Sequence, residues 1–92
     1  MPRLVFRVHA VARIFERGIS EQEVRETLES GETIERYAHD TPYPSRLVLG
    51  WCGGRPIHVV AADNPQEDET IVVTVYEPDP ALWEADFKRR KR

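Results

Sequence analysis

The sequence holds a single cysteine and no long apolar run, and each scarcity removes a class of protein. Cys52 has no second thiol to pair with, so no internal disulfide forms. The apolar runs fall far short of the roughly 20 residues that span a bilayer. The start, Met1-Pro2-Arg3, lacks the apolar core of a signal peptide. A cytoplasmic protein without membrane contact is the expectation. Glycine-rich phosphate loops and a GxSxG nucleophile elbow are also missing. His9, His39, His58 and Cys52 are the only imidazole and thiol ligands, and none is spaced like a zinc motif. No metal and no cofactor is expected, and Cys52 has no nucleophile signature around it.

What remains is the composition of a globular domain: 92 residues, 40% hydrophobic and 32% charged. A chain of this size buries only roughly 60–65% of its unfolded surface. Its net stability is on the order of 5 kcal/mol. Polar residues inside strands therefore need partners. The net charge of −3 argues against a general nucleic-acid coat. The charge is uneven, with Arg3, Arg7, Arg13 and Arg17 near the start and Lys88-Arg89-Arg90-Lys91-Arg92 at the end. Residues 1–87 read as one domain and 88–92 as a basic, solvated tail.

Phe6 to Arg17 reads as a helix, with Val8, Val11, Ala12, Phe15 and Ile19 as its apolar stripe and Gly18 as its stop. His9 and Arg13, four apart, share a face beside that stripe. Ser20 and Glu23 form a capping box for a second helix, Ile19 and Val24 its hydrophobic staple, and Gly31 its end. Strands follow at Thr33–Tyr37, Arg46–Cys52, Ile57–Ala62 and Thr70–Tyr76, rich in β-branched residues. Gly53-Gly54 marks a tight hairpin. Ala81 to Phe87 reads as a short last helix with Leu82, Trp83 and Phe87 on its apolar side. The expectation is an α+β fold: two N-terminal helices on one face of a four-stranded antiparallel sheet, plus a short C-terminal helix. The other sheet face would be partly open.

Alternation along strands supplies the main candidate chemistry. If Ile57, Val59 and Ala61 share a side with Ile71, Val73 and Val75, then His58, Thr74 and Tyr76 meet on the other. His9 and Arg13 form a second group, pairing a side chain that titrates near neutrality with a planar fork that fits phosphate. Arg17, one further turn along, adds cationic charge. Tyr43 and Ser45, in the proline-rich loop from His39 to Ser45, are candidates for the rim of a site. Each has a plainer reading: a solvated helix edge, a hydrogen-bonded core histidine, and sheet-surface polar residues.

The ordered series His9-x3-Arg13-x3-Arg17-Gly18-Ile19, Val24, Gly31-Glu32-x-Ile34-Glu35-x-Tyr37, Pro42-Tyr43-Pro44-Ser45, Arg55-Pro56-Ile57-His58-Val59-Val60, Thr74-Val75-Tyr76-x-Pro78-Asp79 and Trp83 resembles the bacterial family of domains of unknown function numbered 4258. The similarity runs from about Phe6 to Phe87. That family is grouped by resemblance with RelE- and BrnT-like toxins, small α+β domains of the microbial ribonuclease type. The resemblance implies a metal-independent endoribonuclease toxin, with RNA and a zinc-ribbon antitoxin as partners. It carries His9, Arg13, Arg17, His58, Thr74 and Tyr76 as matched positions. In that reading His9, Arg13, His58 and Tyr76 are catalytic, and Arg17, Tyr43, Ser45 and Thr74 bind substrate. His58 or His9 would move protons, and Arg13 with Arg17 would hold phosphate charge. RelE-like toxins are usually basic, whereas this chain is mildly acidic. The alternative is a non-catalytic module of the same fold that binds a neighbouring-gene partner.

Overall fold

The structure, a computed structural model, describes residues 2–92. Its order is β1 (Arg3–Phe6), α1 (Val8–Arg17), α2 (Glu21–Ser30), β2 (Glu32–Tyr37), β3 (Ser45–Cys52), β4 (Arg55–Asn64) and β5 (Glu69–Tyr76). The sheet has five strands in the order β1-β5-β4-β3-β2. This corrects the expected four antiparallel strands. β1 runs parallel to β5, pairing Arg3 with Glu69 and Phe6 with Val72, while every other neighbour is antiparallel. β1 is four residues long and its partner lies more than sixty positions away, so no local pattern announces it.

Local chemistry sets the other elements. Gly53 and Gly54 take φ of 59° and 80°, the left-handed pair that a two-residue hairpin needs. The capping box at α2 forms as anticipated: the Ser20 hydroxyl accepts from Glu23 N–H at 3.0 Å, and Glu23 accepts from Ser20 N–H at 2.9 Å. Ile19 and Val24, the staple, are both buried. Replacing Ser20 with alanine should cost about 1 kcal/mol. The expected readout is a lower denaturant midpoint with an unchanged slope.

Both helices cover one side of the sheet. Ala10, Ile19 and Val24 pack with Ile57, Val59, Ala61, Val72 and Val75 in one core. Arg55 fastens the hairpin end to this layer, donating to Glu23 at 3.1 Å and to the Gly18 carbonyl at 3.2 Å.

The buried side of α1 is not the expected stripe. Ala10 and Ile14 face the core, whereas Val8 is 88% exposed, Val11 50% and Phe15 89%. Only Arg7 separates β1 from α1, and its N–H donates to the Val72 carbonyl at 3.2 Å. That short link fixes the rotation of the helix, and the small Ala10 lets it sit close to β5.

The C-terminal helix does not form. After Tyr76 come Pro78 and Pro80, each without a backbone donor. Residues 77–92 instead run back across the second side of the sheet as a strap. An antiparallel bridge joins Trp83 to Arg90, Glu84 N–H donates to the Arg89 carbonyl at 2.8 Å, and Phe87 turns with φ of 58°. The basic residues take part: Lys88 pairs with Glu32 at 3.0 Å, and the Arg90 guanidinium lies 5.0 Å from the Trp83 ring centre.

Candidate functional site

β4 and β5 build the polar centre of the second sheet face. His58 stands directly opposite Tyr76, and Val60 opposite Thr74. The register then slips: Ala61 pairs with Val72, leaving Val73 as an extra residue. This bulge puts Val72 in the helix-side core together with Val75, where strict alternation would have separated them. His58, Thr74 and Tyr76 still share the opposite face.

The strap closes over that face. His58 is 0% exposed. Its ring meets Trp83 edge-on at 4.5 Å between centres and Tyr76 at 5.2 Å, both within the favourable range for perpendicular aromatic pairs. Its Nε2 lies 2.9 Å from the Phe87 carbonyl and its Nδ1 lies 3.2 Å from the Tyr76 hydroxyl. A carbonyl can only accept, so Nε2 carries the hydrogen and donates to Phe87. In the neutral ring Nδ1 then accepts from Tyr76 O–H. Burial pushes the His58 pKa below 6.5; the Phe87 carbonyl opposes that shift and Arg90 adds to it. Burial also raises the Tyr76 hydroxyl above its usual range. Nearby, Tyr37 donates to Glu35 at 3.0 Å and is pushed up to about 12, chiefly by burial. Both ring nitrogens are engaged inside the fold, so the enclosed imidazole has no free nitrogen to offer a ligand.

The remaining candidates lie elsewhere. His9, Arg13 and Arg17 sit on α1, on the other side of the sheet from His58 and Tyr76. His9 and Arg17 are exposed, and Arg13 pairs with Glu16 on its own helix at 3.0 Å. Tyr43 and Ser45 line a cleft of about 170 Å³ with Arg7, Asp40 and Val73. The Tyr43 hydroxyl accepts from Asn64 at 3.0 Å, and Ser45 donates to Asp40. Thr74 is half-buried beside Val60. The structure thus brings His58 and Tyr76 together, and places Tyr43 with Ser45. The α1 cations stand apart from both groups.

Sequence reasoning missed the roles of Trp83, Phe87 and Arg90 in enclosing His58. Their apolar and cationic character was visible, but nothing in the spacing tied them to β4. Cys52 is half-buried under α2, its Sγ 3.8 Å from the Glu23 carbonyl. Among the described residues, no three His, Cys, Asp or Glu side chains converge as a metal site would need. No helix among them is long and apolar enough to cross a membrane.

Comparison with family models matches residues 6–77 to one described as "Domain of unknown function (DUF4258)". No curated protein matches the chain. No solved structure matches it either.

Proposed function

The chain belongs to the DUF4258 family, and from that premise we propose that it is a non-catalytic protein-docking module whose contact surface is the outward side of α1. One observation carries this reading. Val8, Val11 and Phe15 are 88%, 50% and 89% exposed, and with Ala12 they make a continuous apolar stripe at helical spacing. Scattered exposed apolar residues are ordinary, but a contiguous stripe marks a contact surface. Among the described residues, the core takes Ala10 and Ile14 from α1 and none of this stripe.

The arrangement of the polar candidates supports the same reading. Cleavage of RNA by acid–base chemistry needs a proton-transfer group and cations around a single phosphate. Here the His58 imidazole is sealed under the strap, and Arg13 and Arg17 project from the far layer. A zinc-ribbon antitoxin, which the resemblance implies, is one protein able to occupy such a stripe in a cytoplasmic setting.

The test has two arms. Pure protein incubated with structured and unstructured RNA, with EDTA present, should leave both intact. In dilute solution Val8→Ser with Phe15→Ser should leave thermal stability unchanged, because nothing among the described residues covers those side chains. RNA shortening that disappears in Arg13→Ala would overturn the docking reading. A marked loss of stability in the serine variant would show that the stripe serves the fold.

A further inference from the structure

Resting on α1 as the docking surface, we propose that its occupant is a second copy of this chain, with two α1 helices packed antiparallel about a two-fold axis.

The stripe is complementary to itself in that orientation. Antiparallel helices centred near Ala12 bring the large Phe15 of each copy against Val8 of the other. Ala12, small and central, allows close approach there. The charged flank agrees. At 100° per residue His9 and Glu16 lie on the same side of the stripe, about two turns apart. Flanks of the same kind face each other across antiparallel helices. Glu16 of one copy then lies beside His9 of the other, twice in each dimer. Parallel packing would instead bring opposite flanks together, and Glu16 would lose His9 of the other copy as its neighbour.

Other occupants fit less well. The flank carries both signs, since Arg13 pairs with Glu16 at 3.0 Å, so a uniformly acidic partner would meet a carboxylate. The exposed side of α2 offers Glu21, Gln22, Glu26 and Glu29 and none of the large exposed apolar residues, so a copy cannot dock by that helix. Size sets the strength. Ten residues of helix span about 15 Å. A contact of that length lies near or below the roughly 1,200 Å² at which standard interfaces begin. The dimer is therefore weak and concentration-dependent.

Sedimentation equilibrium on the full chain, from about 10 μM to about 1 mM, tests the proposal. The wild type should pass from monomer to dimer across that range. Phe15→Ser should weaken association at least tenfold. His9→Glu should weaken it as well, by setting carboxylate against carboxylate, and it places the new acidic residue in the first turn of α1, where the helix dipole favours it and folding is not harmed. His9→Glu combined with Glu16→His exchanges the two partners and should restore association to within about threefold of wild type. A chain that stays monomeric throughout, or a dimer indifferent to Phe15→Ser and to the exchange, overturns the proposal. RNA assayed with the same samples separates the two readings. RNA cleavage by a dimeric wild type removes the docking reading and leaves the dimer. A monomeric, RNA-inert chain whose stripe captures the purified product of an adjacent gene removes only the second copy.

Discussion

Gly50→Ala should destabilise the chain by about 3 kcal/mol, the upper end of overpacking costs in a filled core. A Cβ at this position would meet Thr27 at 2.5 Å from Oγ1 and 2.9 Å from both Cβ and Cγ2. Thr27 cannot turn aside. It is 1% exposed, and its hydroxyl donates to the Glu23 carbonyl at 2.8 Å. The methyl group would have to lift α2 off β3, exposing Val24 and its neighbours. Gly31→Ala should cost at least as much, because its Cβ would press on the Thr27 and Leu49 carbonyl oxygens and on Val48 Cγ1. Backbone yields less readily than a side chain. Against a total stability on the order of 5–10 kcal/mol, either change leaves a marginal fold. Denaturant midpoints give the measurement. Gly53→Asn is the control, since a Cβ there meets nothing within 4 Å and asparagine tolerates its φ of 59°. Thr27→Ala should soften the Gly50→Ala penalty, so the double variant falls short of the sum. An unchanged midpoint in Gly50→Ala would show that α2 sits further from β3 than these distances require.

These contacts come from the part of the fold that local chemistry announces. The capping box, the staple, the glycine pair of the hairpin and the β-branched runs of β3, β4 and β5 are each recorded within a few residues. What escaped depends on partners far along the chain. β1 has a strand's residues, but only pairing with β5 makes them one. The rotation of α1 was ambiguous because two rows, Val8-Val11-Phe15 and Ala10-Ile14, both satisfy a helical period. Hydrophobicity favours the first row, whereas the link through Arg7 selects the second. The bulge at Val73 shifts alternation by one residue without a glycine to mark it. In the site, alternation alone was enough to put His58 beside Tyr76. The strap was not legible, because residues 77–92 have no period and their contacts run back to β4 and β2.

His58→Ala should be the most damaging change on the second face, costing about 3 kcal/mol or more. It removes a fully buried ring, a class of deletion that leaves a cavity. It also strands the Phe87 carbonyl and the Tyr76 hydroxyl, each then lacking the partner it has now. His58→Phe keeps the volume and the edge contacts with Trp83 and Tyr76 and loses only the two hydrogen bonds, so its cost should be smaller, about 1–3 kcal/mol. Tyr76→Phe, which removes one hydroxyl, should cost about 1 kcal/mol. The same ring gives the strap a dependence on pH whose sign follows from burial. The folded-state pKa of His58 lies below 6.5, so below that pH the unfolded chain takes up a proton that the folded chain refuses. The stability held by the neutral ring is complete above 6.5 and is lost as the pH falls toward the lowered folded value. Wild type should therefore lose midpoint between pH 7.5 and about pH 5 more steeply than His58→Phe, with carboxylate effects common to both. Tryptophan fluorescence should follow the loss, since Trp83 packs on the imidazole and Trp51 meets Phe87 edge-on at 5.8 Å. Parallel pH profiles for wild type and His58→Phe would mean that the imidazole is not held neutral under the strap.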